Sequence, residues 1–354
     1  LYVDYANGVD VTTQDVLVEN SDSWLGVNED SENFAIPNVN IHAQGAGNYL
    51  DLEVFGQTSW TITGDADLEI DESGSSRLQT INASGLAGAT GAVNLDLEAD
   101  VGGGPVTVLT QGDSFDTLVL DFDGSSDGVV KTGLRGDDIT INSSDNLIVK
   151  SGNGGDTIDI NNADGDVLLG SGKGKDNVAV HTINGGNLTG DTGTTSNNQD
   201  TVELAVSGSV GTALDAFKTG GGDDYVYGSV GVDLTLDMGD GDNEIYTWSG
   251  RDTNITTLDG DDYAYISVGD DLVANFGAGD DELYMVVNDN DNPIGDPFYA
   301  ADINMGSGND FVRADVNGNL TAVLGAGDDV IGIPNVDGVA HVKAGSGDDE
   351  LRKG

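Results

Sequence analysis

The sequence predicts an all-β fold, a right-handed parallel β-solenoid (β-helix) with coils of about 19 residues. A glycine-rich corner that ends in an acidic residue, such as residues 277–281, recurs throughout the second half of the chain. An apolar alternation follows each corner, as in residues 283–287, and has the period of a strand with one buried face. A similar run, such as residues 272–276, precedes the corner. Each coil is therefore predicted to hold two strands and two turns.

The last polar residue before the strand marks the period of the repeat. Successive positions lie 18 to 29 residues apart and most lie 18 to 20 apart, which is too regular for scattered loops. No single coil can bury its own apolar face, so the coils must stack. These positions are Asp116, Asp138, Asp156, Asp176, Asp200, Asp224, Asn243, Asp262, Asp281, Asp310, Asp329 and Asp349.

Three segments follow from the distribution of these corners. Residues 1–48 form an irregular N-terminal β segment without a visible repeat, and residues 49–110 form solenoid coils with few metal corners. Residues 111–354 carry the acidic corners and form the part of the solenoid that is predicted to bind metal. The polar stretch 288–299 is predicted to bulge from the stack as a surface loop, or alternatively to contact a neighbouring subunit.

The acidic corners predict a cation between the coils. Coils stack about 4.8 Å apart, and two unit charges at that spacing repel by roughly 1 kcal/mol in water and roughly 3 kcal/mol at an effective dielectric of 20. Calcium fits this need because it takes about six to eight oxygens, which carboxylates and turn carbonyls of adjacent coils can supply. The predicted metal residues are Asp116, Asp138, Asp156, Asp176, Asp224, Asp242, Asp262, Asp280, Asp281, Asp310, Asp328, Asp329, Asp348 and Asp349.

The corners resemble the calcium-binding RTX (hemolysin-type) nonapeptide. Matches begin at Gly152, Gly172, Gly220, Gly277, Gly306, Gly325 and Gly345. The resemblance implies that Asp156, Asp176, Asp224, Asp281, Asp310, Asp329 and Asp349 bind Ca²⁺ together with the neighbouring glycine carbonyls. Residues 78–97 are similar, more loosely, to the coils before RTX blocks in bacterial surface-layer proteins and large secreted adhesins. The opposite edge, as at residues 269–271, lacks the paired glycines, so we expect metal along one edge only.

Composition narrows the class of protein. The chain has 63 acidic and 12 basic residues, and its formal net charge of −51 opposes binding to nucleic acid or to an anionic membrane. It contains no cysteine, so disulfides cannot hold it together. No segment approaches the 18 apolar residues of a membrane span. Disorder is disfavoured because the apolar residues keep the period of strands and stop at glycine corners.

An enzyme is the main alternative, because parallel β-helices include polysaccharide lyases, hydrolases and epimerases. The only histidines, His42, His181 and His341, are far apart, and acidic pairs occur at every corner where a catalytic pair would be expected once. Separately, an aromatic ladder is predicted on the outward face, either to stiffen the sheet or to dock another subunit or a glycan. Its residues are Tyr225, Tyr227, Tyr263, Tyr265 and Tyr284.

These observations favour a non-enzymatic, secreted structural protein, stabilised by Ca²⁺, that assembles on the bacterial cell surface as a surface-layer, adhesin or matrix component. The expected partners are other copies of the chain, in a lattice or filament, and a cell-surface glycan. The alternative is an RTX calcium-binding segment of a secreted β-helix enzyme or toxin that acts on polysaccharide.

Overall fold

A computed structural model of the chain describes residues 2–3, 12–20, 22–27, 36–53, 57–72, 77–86, 94–110, 112–181, 183–184, 186–193, 199–206, 214–288 and 300–354. Within these residues the protein is all-β, and parallel strands stack into a β-solenoid whose turns lie about 21 residues apart. The predicted fold class is therefore confirmed. Most of the predicted insertion at 288–299 lies outside the described residues. The chain divides into two compact units, Leu1–Gly172 and Lys173–Gly354.

In the first unit, the odd-numbered strands form one parallel sheet and the even-numbered strands form a second. The strands are β1 (Tyr2–Val3), β2 (Thr13–Glu19), β3 (Asp22–Val27), β4 (Asn38–Gln44), β5 (Asn48–Glu53), β6 (Ser59–Gly64), β7 (Leu68–Glu72), β8 (Thr80–Leu86), β9 (Leu95–Val101), β10 (Val106–Leu109), β11 (Asp116–Phe122), β12 (Gly128–Lys131), β13 (Asp138–Asn142), β14 (Leu147–Lys150), β15 (Thr157–Ile160) and β16 (Val167–Gly170).

The second unit repeats this arrangement of odd and even parallel sheets. Its strands are β17 (Asn177–Val180), β18 (Leu188–Asp191), β19 (Thr201–Val206), β20 (Leu214–Lys218), β21 (Tyr225–Val230), β22 (Asp233–Gly239), β23 (Glu244–Ser249), β24 (Thr253–Thr257), β25 (Tyr263–Val268), β26 (Leu272–Asn275), β27 (Glu282–Val287), β28 (Ala300–Asn304), β29 (Phe311–Val316), β30 (Asn319–Ala326), β31 (Val330–Val336), β32 (Ala340–Ser346) and β33 (Glu350–Lys353).

The core lies between the two sheets of each coil. Leu283, Met285 and Val287 of β27 are at most 2% exposed, as are Leu272 and Ala274 of β26. These are the alternate positions that the sequence pattern assigns to the buried face, because successive side chains of a strand point to opposite sides. Burial of these aliphatic columns supplies the cohesion between coils.

Parallel stacking extends into residues 1–48, where the sequence predicted no repeat. Strand β2 pairs with β4 from Thr13↔Asn38 to Glu19↔Gln44, and β3 pairs with β5. The step of 25 residues between Thr13 and Asn38 differs from the 19 residues between Tyr263 and Glu282. The described coils of this segment lack a fixed length, so their repeat is invisible in the sequence, although Gly45 and Gly47 form a glycine corner between β4 and β5 with φ angles of +87° and +64°.

Candidate metal centre

The acidic corner connects an even strand to the next odd strand, and its glycines are required by the close stacking of the coils. Gly306 and Gly308 have φ angles of +89° and +140°. A Cβ atom on Gly308 would lie 1.7 Å from the carbonyl oxygen of Gly279 in the preceding coil. Only glycine fits where both the backbone conformation and the neighbouring backbone exclude a side chain. The corner peptides also bond from coil to coil, since Ser307 N–H donates to the Gly277 carbonyl over 3.0 Å.

One side chain per corner points into the interior of the second unit, and together these side chains form what we call the buried ladder. The backbone N–H of Asp262 donates to Asp281 Oδ1 over 2.9 Å, and that of Asp281 donates to Asp310 Oδ1 over 3.0 Å. Each step joins one coil to the next in the same direction. The buried ladder of this unit comprises Asp176, Asp200, Asp224, Asn243, Asp262, Asp281, Asp310, Asp329 and Asp349.

The first unit has a shorter buried ladder, and it corrects the alignment of one predicted residue. Asp116 N–H donates to Asp137 Oδ1 over 3.0 Å, and Asp137 N–H donates to Asp156 Oδ1 over 2.9 Å. Asp137 is 2% exposed, whereas Asp138 begins β13 on the exposed side. The sequence reading took the last polar residue before the strand. The fourth residue after the first corner glycine, here Gly133, identifies the ladder position correctly.

A second row of acidic side chains, the surface ladder, runs beside the buried one in the second unit. Here the N–H of Asp280 donates back to Asp261 Oδ1 over 2.8 Å, and the N–H of Asn309 donates back to Asp280 Oδ1 over 2.7 Å. The hydrogen bonds of the two ladders therefore point in opposite directions along the stack. The surface ladder comprises Asp223, Asp242, Asp261, Asp280, Asn309, Asp328 and Asp348, all exposed.

The predicted metal residues thus divide into distinct groups. Asp242, Asp280, Asp328 and Asp348 belong to the surface ladder, Asp138 belongs to neither ladder, and the other predicted residues belong to the buried ladders. Asp137 is not among the residues predicted to bind metal. Neither is Asp200, whose coil lacks both corner glycines. Asp200 could be recognised from the sequence, because its distance of 24 residues from Asp224 falls within the range of 18 to 29 that separates the corners.

Burial disfavours the charged form of the carboxyl groups in the buried ladders. Desolvation raises the pKa of Asp281 to about 7, and it raises the pKa of Asp262 and of Asp310 to about 6. The carboxyl pKa of Asp137 and Asp200 also rises to about 6, for the same leading reason. One oxygen of each buried group accepts the ladder hydrogen bond. The second oxygen, Oδ2, has no hydrogen-bond partner in Asp224, Asp262, Asp281, Asp310 and Asp329.

Asn243 shows which hydrogen bonds the Oδ2 of an aspartate in the buried ladder cannot make. Its Nδ2 stands where an aspartate would have Oδ2, and it donates to the Gly241 carbonyl and to Asp262 Oδ1, both over 2.9 Å. An aspartate in the same position would place its Oδ2 against the Gly241 carbonyl oxygen and Asp262 Oδ1, and all three atoms are acceptors. That arrangement is stable only with a proton or a cation between them. The donor set of carboxylate and carbonyl oxygens suits a hard cation such as Ca²⁺, so these residues fit the metal that the resemblance implies.

The opposite edge also carries a compact acidic group. One carboxylate oxygen from each of Asp252, Asp270 and Asp271 lies within 4.8 Å of the others. Nearby, Arg251 Nε forms an ion pair with Asp233 Oδ1 over 3.0 Å. The sequence reading expected metal along the glycine-rich edge only. Any test of that expectation should therefore compare a variant of Asp270 with a variant on the glycine-rich edge.

Within the described ranges, no helix is long and apolar enough to cross a membrane. Comparisons with protein-family models, with curated proteins and with solved structures find no match to this chain.

Proposed function

We propose that this chain is a secreted, calcium-stabilised structural protein of the RTX type, which associates with copies of itself on a bacterial cell surface. The observation that carries the proposal is the buried ladder, in which successive carboxylates keep an unpartnered oxygen inside the protein. A formal charge of −51 adds to the demand for cations. Metal bound along this ladder would add to the cohesion that the buried aliphatic columns supply and would tip the balance towards folding.

In the proposed loaded state, Asp262, Asp281 and Asp310 supply carboxylate oxygens, and the corner glycines supply carbonyl oxygens. Calcium neutralises the repulsion along the ladder and joins one coil to the next. Because the sites exist only when the coils are stacked, the free energy of metal binding becomes free energy of folding. A protein that folds only where calcium is abundant suits the outside of a cell.

Self-association is supported by the repetitive surface. The surface ladder presents exposed carboxylates at a constant spacing, and cations can bridge such rows between molecules once they screen the net charge. Enzymatic activity has less support, because the titratable groups recur coil after coil and no unique pair of acid and base stands out in the part of the chain that the structure describes. His42, for instance, lies on the outer surface, where its Nδ1 is 3.0 Å from Thr63 Oγ1.

The first experiment follows folding by circular dichroism while chelator removes calcium, and measures bound calcium in two variants. We expect loss of β structure in excess chelator. Asp281→Ala should lower the number of bound calcium ions, whereas Asp270→Ala should leave it unchanged. An unchanged spectrum in chelator refutes calcium-dependent folding, and equal losses of calcium in both variants show that metal lines both edges.

The second experiment follows light scattering and electron microscopy across a calcium titration. We expect folding at low calcium concentration and association at higher concentration. A folded protein that stays monomeric through millimolar calcium and cleaves or epimerises an acidic polysaccharide contradicts the structural role and supports the alternative of a secreted enzyme.

A further inference from the structure

The outward face of the odd-numbered sheet in the second unit carries a continuous stack of aromatic rings. The ring centroids of Tyr225 and Tyr246 are 5.9 Å apart, and those of Tyr263 and Tyr284 are 5.6 Å apart. Tyr246 joins Tyr263 at 5.5 Å, and Phe311 extends the stack beyond Tyr284 at 5.4 Å. Tilted rings at these distances attract one another, so the stack stabilises the pairing of neighbouring coils.

Tyr265 differs from these rings, because it makes no ring contact with any described residue and its side chain is 49% exposed. It lies beside Tyr284 in the sheet, and Arg313 follows on the next strand. These side chains form one wall of a groove of about 260 Å³, which is also lined by Met285, Val286 and Asp315. The volume is close to the lower end for small-molecule sites, about 300 Å³.

Arg313 is the basic residue of this groove. In a chain with 63 acidic and 12 basic residues, its exposed guanidinium has no ion-pair partner among the described residues. By contrast, Arg135 pairs with Asp113 at 2.7 Å, and Arg352 pairs with Glu350 at 2.7 Å. The five N–H donors of Arg313 are therefore available to a ligand. Asp315, two residues along the same strand, offers acceptors in the same groove.

We infer that the groove beside Tyr265 binds one unit of a neutral glycan chain. An exposed aromatic face fits the apolar C–H face of a sugar ring, while neighbouring guanidinium and carboxylate groups fit hydroxyls, which both donate and accept hydrogen bonds. The inference goes beyond the proposed function, because the groove is separate from the corners and needs no particular assembly.

Other occupants fit less well. An anionic glycan must approach a chain with a net charge of −51 and a groove that contains Asp315. A second copy of the chain is disfavoured because a stable protein interface covers about 800 Å² on each partner, far more than this groove offers. A neutral sugar meets neither obstacle.

The test measures binding of defined probes to the folded protein in calcium-containing buffer, by calorimetry and by saturation-transfer NMR. The neutral probes are cellohexaose, maltohexaose, mannohexaose and the hexamer of N-acetylglucosamine, and trigalacturonate is the anionic probe. At least one neutral probe should bind. Tyr265→Ala should weaken its binding about tenfold or more, and Arg313→Ala should weaken it about fivefold. The control Phe115→Ala, which removes another exposed ring in the first unit, should bind normally.

Circular dichroism establishes that each variant is folded before binding is measured, so a failure of calcium-dependent folding would be recognised separately. Binding of no neutral probe, or equal binding by Tyr265→Ala and the unchanged protein, overturns the inference. Binding of trigalacturonate alone overturns the choice of a neutral ligand. A loss of self-association in Tyr265→Ala without any loss of glycan binding assigns the groove to a second copy of the chain.

Discussion

Replacing Asp281 by asparagine should stabilise the calcium-free protein, although it removes a predicted metal ligand. Burial raises the pKa of Asp281 from 3.8 to about 7, so near neutral pH the folded state pays to keep a charge that the unfolded chain carries freely. The difference between these pKa values corresponds to at most about 4 kcal/mol of folding free energy. An asparagine does not ionise, and Asn243 demonstrates that an amide fits this position with both donors used.

The same substitution should weaken the response to calcium. Asp281→Asn keeps an oxygen to accept the N–H of Asp262, but it loses the negative charge that holds the ion. We therefore expect the free energy of unfolding to rise in chelator, and the additional gain on adding calcium to shrink. Because the calcium-free chain is expected to unfold at pH 7, both quantities are measured by urea unfolding, followed by circular dichroism, in a stabilising osmolyte that restores its folding, with and without calcium.

Matched variants make the result decisive. Asn243→Asp should do the opposite, destabilising the calcium-free protein and increasing the gain from calcium. Asp280→Asn, in the exposed surface ladder, should change stability little. Asp281→Ala also removes the charge, but it leaves the buried N–H of Asp262 without its acceptor, so it should be about 1–3 kcal/mol less stable than Asp281→Asn. If Asp281→Asn destabilises the calcium-free protein as much as Asp281→Ala does, the buried carboxylate is not an electrostatic burden and the reasoning fails.

Two further predictions concern pH and backbone geometry. In chelator and the same osmolyte, which keeps the calcium-free chain folded, the melting temperature should fall as pH rises from about 4 to 7. Asp262, Asp281 and Asp310 have folded pKa values of about 6, 7 and 6, so they favour folding while protonated, and a melting temperature that rises over this range contradicts the prediction. Gly308→Ala should destabilise the protein by several kcal/mol, because its Cβ would lie 1.7 Å from the Gly279 oxygen, whereas Gly47→Ala, at φ +64° with open space around it, should cost only about 1–2 kcal/mol in thermal unfolding; equal costs would mean that stacking does not require the glycine.

The fold could be predicted from sequence because its determinants are local. The glycines of residues 277–279 indicate a tight corner, and the alternation of residues 283–287 indicates a strand with one buried face. Neither inference needs information about distant residues. The position of Asp138 was misjudged because two acidic residues stand together, and only the count from Gly133 assigns the inner one. The N-terminal coils escaped prediction because their length varies.

The hydrogen bonds of the site could not be predicted in the same way. The N–H of Asp281 meets Asp310 Oδ1 across 29 residues of chain, and this contact depends on a side-chain rotamer that no sequence pattern encodes. The groove presents the same difficulty. Arg313 follows Tyr284 in the sheet, yet the long insertion between them shifts it out of the 19-residue period that relates Tyr265 to Tyr284.

The hydrogen bonds of the two ladders run in opposite directions, so the two faces by which a coil contacts its neighbours are chemically different. On one side, a coil of the second unit offers a buried N–H and an exposed carboxylate, and on the other side it offers a buried carboxylate and an exposed N–H. Only a coil added head to tail matches both pairs, since an inverted coil would set donor against donor and acid against acid. Whole coils are consequently interchangeable modules: removal of residues 244–262 would bring Asn243 onto Asp281 and Asp242 onto Asp280 with both ladders intact. Such a solenoid can lengthen or shorten by duplication and loss of single coils, and it tolerates extra residues between two corners, since both ladders continue across the 29 residues from Asp281 to Asp310.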